Sequence, residues 1–438
     1  MDITVRELRA VLALLLPIVA KRSTLPITQN ILVKDGQAMA TDLEAWGSVR
    51  LDPAETEAML LSPRMLEALS HMPADRILKV LALQAGSTTV EGGGMTSSWD
   101  VGAPKDFPPF PDALGPAGAR ATLSGDRFVE ALVAVAECAA IDNSRPILTG
   151  ILVHATEEGM TVVGADGFRL CYQPTPMRLG EPGMRFIIPG ATVKKLARLW
   201  HQAAERDVSG IESVADLARD TKPMRVTVGE PQHLIRFAFG RVTLVSQLIA
   251  GTFPDYESLI PKSHGEPVTF QAEALYAAVG LVHEMANNGI IRLQWDPSGV
   301  ISVSATGEDV GTARVEVLGA TRGSGFIAFN DRYLHPALKG LSGEVTLLTT
   351  TPSAPAVLRR WGAPDLILMP MFVAPPTAAT PAAEPPKEQP EEGPQEAPEP
   401  PAVPEDGASP EDSAASPPET PAPAAEAKAT RRGRRKKA

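Results

Sequence analysis

Residues 145–172 read RPILTGILVHATEEGMTVVGADGFRLCY and contain a clear local signal for strands and turns. The stretch holds three apolar runs, at 147–154, 160–164 and 168–172. A Glu-Glu-Gly turn separates the first two runs, and an Asp-Gly turn precedes the third. Short runs rich in β-branched residues that alternate with such turns are typical of antiparallel hairpins. The stretch therefore predicts a three-stranded antiparallel meander.

The first line of this meander occurs twice in the chain. Residues 25–33 read LPITQNILV, which repeats the pattern RPILTGILV of residues 145–153. Each copy is followed by a glycine turn, a short strand and an aspartate, Asp42 in the first copy and Asp166 in the second. A period this long indicates duplicated domains and not a solenoid of short repeats.

A longer pattern of strand, helix, meander, strand, helix and further strands occurs three times. We predict an α+β fold of three repeated domains, 1–118, 119–252 and 253–373, each with two helices packed on antiparallel sheets. Ser62 with Pro63, and Ser124, stand where helix N-caps are expected. Residues 201–223 form an acidic, helix-prone insertion in the second domain.

Beyond residue 373 the composition shifts to Pro, Ala, Glu and Ser, and the chain ends with six basic residues among positions 431–437. Such a segment buries too little apolar surface to offset its ordering entropy, so we expect 374–438 to be a disordered tail. Its basic end has two candidate uses, binding nucleic acid or folding back on the acidic body to shield a neighbouring site. The plain alternative is an inert solubilising tail.

Composition favours a cytoplasmic protein. Cys138 and Cys171 each lie in an apolar pattern, as expected of buried thiols in a reducing compartment. The apolar run 10–20 lacks a basic leader and a cleavage site, and no run reaches the ~18 residues that span a bilayer. The formal net charge of −11 argues against a simple DNA-coating protein, although a local basic surface remains compatible with it.

Motifs of catalysis are missing. His283-Glu284 begins like a zinc helix, but Asn287 stands where the second histidine is required. The glycines at 92–94 lack the Lys-Ser/Thr of a phosphate loop, and no Gly-x-Ser-x-Gly elbow is present. Asp166 belongs to turn chemistry. We therefore expect no catalytic residue, no metal and no cofactor.

Several motifs together resemble one known family. They are 24–27 (TLPI), 41–44 (TDLE), 165–170 (ADGFRL), 253–256 (FPDY), 259–262 (LIPK) and 369–371 (MPM). The sequence over 1–373 is similar to the bacterial sliding clamp, the β subunit of the replicative DNA polymerase III. The resemblance implies a non-catalytic processivity factor, in which two chains close head to tail into a ring around duplex DNA.

The resemblance also implies a set of binding partners and leaves one alternative function open. The partners are double-stranded DNA, the polymerase catalytic subunit, the clamp loader ATPase, other factors with a short hydrophobic motif, and a second copy of the chain; no membrane is involved. The alternative is a clamp-derived paralogue or phage-type clamp that tethers other DNA-processing factors. An enzyme with an unrecognised active site is the hypothesis from another class.

A ring that slides should contact the phosphates of DNA through positively charged side chains and should not contact the base edges. Arg22 matches a DNA contact of the family, just before Thr24. The other candidates for DNA contact are Arg6, Arg9, Lys21, Arg64, Arg127, Arg145, Lys194, Lys195, Arg198, Arg332 and Lys339. We expect about half of the candidates to face the DNA and the others to be solvated surface charges.

A partner-peptide pocket between the second and third domains is implied by the same resemblance. Its lining, carried over by position, is Leu148, Ala165, Gly167, Phe168, Arg169, Leu170, Pro254, Leu259, Ile367, Leu368, Met369, Pro370 and Met371. Apolar walls with soft methionines suit an adaptable peptide groove. The alternative is that Leu148, Leu170 and Leu259 simply fill a core.

The sequence departs from the family pattern at six positions. Ala165 replaces a threonine, Phe168 a histidine, Ser258 an arginine, and Asn288 an aromatic residue, while Pro146 and Ile147 replace tyrosines. These departures concern peptide specificity and some DNA contacts, and leave the fold unchanged.

Overall fold

The structure is a computed structural model that describes residues 1–51, 57–83, 86–111, 114–206, 222–230, 233–307 and 311–373. Six α-helices lie in these ranges. They are α1 Val5–Leu15, α2 Met65–Ser70, α3 Gly125–Ala136, α4 Gly190–Arg206, α5 Ala272–His283 and α6 Asp331–Lys339.

The strands of the described residues fall into three groups of equal size. The first group is β1 Asp2–Thr4, β2 Ile31–Lys34, β3 Gln37–Thr41, β4 Ala45–Arg50, β5 Met59–Leu61, β6 Ile77–Leu83, β7 Ser87–Gly92 and β8 Met95–Asp100. The second is β9 Ala117–Ser124, β10 Gly150–Thr156, β11 Gly159–Ala165, β12 Arg169–Thr175, β13 Arg185–Pro189, β14 Pro223–Gly229, β15 Leu234–Phe239 and β16 Val242–Gln247. The third is β17 Val268–Gln271, β18 Ile290–Trp295, β19 Val300–Gly307, β20 Gly311–Ala320, β21 Gly325–Asn330, β22 Glu344–Leu348, β23 Ala356–Arg359 and β24 Asp365–Leu368.

Each group follows one order: strand, helix, three-stranded meander, strand, helix, three strands. The meander predicted from residues 145–172 is β10–β11–β12, with Leu152 opposite Val163 and Val163 opposite Tyr172. The predicted α+β class and its threefold repetition are confirmed. The domain boundaries at 118 and 252 stay a proposal.

Two sheets continue from one repeat into the next. The third meander strand of the first repeat, β4, pairs antiparallel with β16, the last strand of the second repeat. In the same way β12 pairs with β24 of the third repeat. The result is an eight-stranded and a twelve-stranded sheet beside the four-stranded sheet β1–β6–β7–β8.

The helices pack on these sheets through apolar faces at helical spacing. In α1, Leu8, Leu12 and Leu15 are fully buried, as their i, i+4, i+7 spacing predicts. A capping box starts this helix, because Thr4 accepts a hydrogen bond from the Glu7 backbone N–H and Glu7 reaches back to Thr4 N. Phe128 of α3 and Phe237 of β15 meet in the core with ring centroids 6.4 Å apart.

Three local predictions were wrong. Pro26–Gln29 and Pro146–Thr149 are 3₁₀ turns, so the strands begin at Ile31 and Gly150, several residues later than expected. Proline fixes φ and lacks an N–H, which suits the first turn of a helix better than a paired strand. Ser124 precedes α3 without capping it through its side chain. The second helix starts at Met65, because Ser62 and Pro63 form the turn before it.

Two predicted segments lie outside the described residues. They are most of the acidic insertion, 207–221, and the whole tail from residue 374 to the basic end. Among the residues that are described, no helix is long and apolar enough to cross a membrane.

Candidate functional site

The turn between β11 and β12 is organised by the carboxylate of Asp166. Its Oδ1 accepts hydrogen bonds from the backbone N–H groups of Phe168 at 2.9 Å and Arg169 at 3.0 Å. Its Oδ2 accepts from Arg169 Nε at 3.0 Å. Asp166 is therefore a structural residue of the turn, as the sequence predicted, and it fixes where Phe168 and Arg169 point.

Phe168 forms an aromatic shelf with Tyr333 of α6. The rings stack with centroids 5.1 Å apart and an interplanar angle of 17°. Arg145 lies over Phe168 at 5.9 Å, and Arg169 lies over Tyr333 at 5.8 Å. Each guanidinium is within the range of a cation–π contact, so both ends of the shelf carry positive charge.

Gly167 permits this arrangement. Its φ of 93° belongs to the left-handed region, and a Cβ there would lie 2.2 Å from Arg145 Nη1. A side chain at this position would strain the backbone and push Arg145 from the shelf.

The last described residues of the chain run along the shelf. Met369 N donates to Phe168 O at 2.9 Å, and Met371 N donates to Ala328 O at 2.7 Å. Pro370 forms a bridge with Phe329. The segment Met369 to Met371 is half-buried, while Phe168 is 48% exposed. The structure thus brings together Gly167, Phe168, Arg169, Met369, Pro370 and Met371.

The aliphatic residues predicted for the pocket lie beneath this surface. Leu148, Ala165, Leu170 and Ile367 belong to one buried cluster, against which Leu259 packs half-buried, and Leu368 is fully buried as well. Leu148 and Leu170 are thus buried side chains that form the floor beneath the surface of Phe168 and the segment Met369 to Met371. Pro254 is exposed and follows Phe253, a member of the same cluster.

Two titratable groups stand at the edge of that cluster. His154 Nδ1 lies 2.9 Å from the hydroxyl of Tyr256 and 3.4 Å from Glu257 Oε1. Burial, together with the nearby charge of Arg185, lowers the pKa of His154, and Glu257 offsets this only in part. Burial first, and the Glu257 charge second, raise the pKa of Tyr256 to about 12.

The seam between β12 and β24 carries a polar network. The Tyr172 hydroxyl donates to Asp365 Oδ2 at 3.0 Å, and Arg359 binds the same carboxylate through Nε and Nη2 at 2.9 and 2.7 Å. Burial and the Asp365 charge raise the pKa of Tyr172 to about 12, so this hydroxyl stays a donor at neutral pH.

Most basic residues predicted to face DNA are exposed. They are Arg6, Lys21, Arg22, Arg64, Arg127, Arg145, Lys194, Arg198, Arg332 and Lys339, while Arg9 is half-buried. Many of them lie on the helices, Arg127 on α3 and Lys194 and Arg198 on α4. Arg145 differs, because it lies against the aromatic shelf.

The expectation for Lys195 does not hold. Its ammonium pairs with Asp42, and the two side chains are only 12% and 24% exposed. A lysine held in a nearly buried ion pair is not available to a phosphate. It connects α4 to the first repeat instead.

No motif or spacing in the sequence pointed to Tyr333 as a residue of this site. This residue lies in the first turn of α6, whose N-cap Asn330 accepts from Arg332 N, and it reaches Phe168 only through the tertiary fold. Both cysteines are buried and free, and the described residues hold no cluster of three or more metal-ligating side chains.

Comparisons with known proteins give one consistent result. The profile of the DNA polymerase III beta subunit, central domain, matches residues 122–255, and that of the C-terminal domain matches 257–372. The beta sliding clamp of Pseudomonas putida is 27% identical over 376 residues, 82% of this chain and 96% of its own length. The beta sliding clamp of Synechococcus elongatus is 25% identical over 372 residues, 81% and 94% of the two chains.

Solved structures agree in fold. The crystal structure of the DNA polymerase sliding clamp from Pseudomonas aeruginosa superimposes with a TM-score of 0.73 at 22% identity, covering 85% of this chain and 99% of that one. A further structure of the Pseudomonas aeruginosa clamp, bound to griselimycin, gives a TM-score of 0.72 at the same identity and coverage.

Proposed function

Since this chain belongs to the bacterial DNA polymerase III beta sliding clamp family, we propose that it forms a head-to-tail dimeric ring around duplex DNA. It is a DNA sliding clamp, a non-catalytic processivity factor of the replicative polymerase.

Ring closure is supported by two strands that lack the inter-repeat pairing seen elsewhere in the chain. Within the chain, the third meander strand of one repeat pairs with the last strand of the next, as β4 with β16 and β12 with β24. The same rule leaves β20 of the third repeat and β8 of the first without such a partner in the described residues. In the described residues only the last two residues of β20, Gly319 and Ala320, pair with β17 on this edge, so the rest of the edge is open. That open part fits β8 of a second copy, and repeating the contact closes a ring. This is the observation that carries the proposal.

The exposed basic side chains on the helices contact DNA in this proposal. Arg127, Lys194 and Arg198 combine long, flexible stems with charges free to meet a phosphate. Contacts of this type carry no sequence information, which is what a protein that slides requires. Arg22, on the turn after α1, belongs to the same surface by its match to the family.

Partner factors bind, in this proposal, on the aromatic shelf and the segment that follows it. Phe168, Met369 and Met371 offer exposed or half-exposed apolar surface above a rigid floor that includes Leu170. A short hydrophobic peptide of the polymerase or of the clamp loader would bury these side chains, and flexible methionines would adapt to more than one partner. The two free buried cysteines support the cytoplasm as the compartment.

Release from DNA ends tests the ring directly. After loading on a nicked circular plasmid, the protein should stay bound at a salt concentration that screens phosphate contacts, and cutting the plasmid once should release it. Gel filtration of the DNA-bound fraction measures this. Equal retention on linear DNA with open ends would show that binding is not topological and would refute the ring.

A further inference from the structure

The eight-stranded sheet carries an arginine-lined pocket on the face opposite the helices. On the helix side, α1, α3 and α4 pack against β4, β9 and β16. The residues that point toward them, Val226, Phe237 and Leu244, are fully buried. Because side chains alternate along a strand, their neighbours Arg225, Arg236 and Thr243 point to the other face.

The strand register places these side chains in two rows. One row runs Ser48, Thr243, Ala238 and Arg225 across β4, β16, β15 and β14. The other runs Arg236, Thr227 and Arg120 across β15, β14 and β9. The small side chains of the first row leave a depression of about 440 Å³, and the arginines surround it.

Three guanidinium groups therefore meet around one cavity. Arg120 and Arg236 are separated by a single strand, so their Cα atoms lie about 10 Å apart, and Arg225 stands diagonally from both. Side chains of this length reach a common ligand in the depression. Hydroxyl groups of Ser48, Thr227 and Thr243 add donors at the floor.

Two of the three arginines, Arg120 and Arg225, have no carboxylate partner among the described residues of the lining. No carboxylate is found among the described residues that line the cavity. Arg120 and Arg225 are exposed, and neither forms an ion pair with any residue that the structure describes. Arg236 is positioned differently, because its Nη2 donates to Pro111 O at 3.0 Å.

We propose that this pocket binds an oligophosphate, a small molecule with two or more linked phosphate groups. Arginine forks match phosphate oxygens in pairs, and the forks of Arg120 and Arg225 rise from different strands around a cavity of about 440 Å³, so linked phosphates span them better than a single phosphate does. The volume falls in the range of small-molecule sites and not of an extended groove. Phe110, half-buried on the rim, provides an aromatic surface for the base of a nucleotide.

The site joins two repeats. Ser48 comes from the first repeat, while the three arginines come from the second. It also lies on the face of the sheet away from α1, α3 and α4, so its occupancy is separate from the DNA contacts proposed above.

Isothermal titration of the full chain at low salt tests the proposal, with tripolyphosphate, ATP and adenosine as probes. Tripolyphosphate and ATP should bind with one site per chain, and adenosine should not. Arg120→Gln combined with Arg225→Gln should weaken binding at least about tenfold, because two paired sets of charged hydrogen bonds are lost. Arg120→Lys combined with Arg225→Lys keeps the charge and loses the fork. Its affinity should lie between that of the unmodified chain and that of the double Gln variant.

Arg178→Gln is the matched control, since Arg178 is an exposed arginine that does not line the pocket and donates to Glu157 O at 2.8 Å. The Arg178→Gln protein should bind tripolyphosphate and ATP with the same affinity as the unmodified chain. Because Arg120 and Arg225 are exposed, the double variant should keep its melting temperature. Absence of binding by both phosphates would overturn the proposal, as would binding that the double variant leaves unchanged. A single-stranded oligonucleotide that binds through the two arginines when the small phosphates do not would also overturn it.

Discussion

His154 is a buried histidine whose protonation is opposed by burial and by the charge of Arg185, and is only partly favoured by Glu257. It packs edge-on against Tyr256, with ring centroids 6.0 Å apart. Its environment also includes Arg185, which pairs with Glu257 at 3.3 Å. The sequence placed His154 on a strand, but it could not show which charges would surround it, because Arg185 and Glu257 are distant in the chain.

A pH dependence of stability follows from the lowered pKa of His154. The unfolded chain binds this proton more tightly than the folded chain. The stabilising contribution is therefore complete above about pH 6.5 and is lost as the pH falls below that value. Between about pH 7.5 and about pH 5.5, the melting temperature of His154→Gln should drop less than that of the unmodified chain. His264→Gln, at an exposed histidine, is the control, and equal pH profiles for His154→Gln and the unmodified chain would contradict the assignment.

The turn that joins β11 to β12 shows what a local signal can and cannot predict. Asp166-Gly167 is a strong turn sequence, and the structure confirms the turn and its hydrogen bonds. The 3₁₀ turns at Pro26–Gln29 and Pro146–Thr149 were misread as strand, because their aliphatic residues fit either structure. The partner of Phe168, Tyr333, lies in another element and is reached only after folding.

Removing the apolar tips of the shelf should weaken partner binding. Phe168→Ala with Met371→Ala removes two side chains, each worth up to about 1.5–3 kcal/mol when a partner buries it, so affinity should fall at least tenfold. The measurement is fluorescence anisotropy with a labelled peptide that carries the hydrophobic clamp-binding motif of the polymerase catalytic subunit.

Two controls separate binding from folding. Trp361→Ala changes a side chain that is 98% exposed on the β23–β24 connection and should bind the peptide normally. Leu170→Ala is unsuitable as a binding probe, because this floor residue is 3% exposed and its loss should cost about 2–5 kcal/mol of folding stability. Full peptide affinity in the Phe168 and Met371 double variant would place the pocket elsewhere.

Across the whole molecule, the order of elements was predictable because it is repeated. Three weak local patterns in the same order support one another, and the structure follows them from β1 to β24. The pairings of β4 with β16 and β12 with β24 were not predictable, since no sequence pattern links strands so distant along the chain. Lys195 shows the same limit, because its partner Asp42 belongs to another repeat.

The proposed contact between copies predicts a sensitive apolar residue. Leu281 is 67% exposed on α5, a helix that packs on β20, beside the edge left open for a second copy. Leu281→Asp should raise the dimer dissociation constant at least tenfold, because burying a leucine contributes about 1.5–3 kcal/mol and burying an unpaired carboxylate is unfavourable. Sedimentation equilibrium measures the change.

Val133→Asp on α3 provides the comparison, since Val133 is 40% exposed on a helix of the second repeat. This variant should dimerise as the unmodified chain does. A Leu281→Asp protein with an unchanged dissociation constant would mean that the copies meet at another surface.

The continuation of sheets between repeats also has a mechanical consequence. At each junction inside the chain, a covalent linker also connects the two repeats whose strands pair. The first junction has the Asp42–Lys195 ion pair in addition. A junction between two copies would have strand pairing and side-chain contacts but no peptide bond across it. A force that pulls such a ring open would therefore separate the junction between subunits first, because that junction is the weakest. The gate through which DNA enters is then set by where the polypeptide is discontinuous.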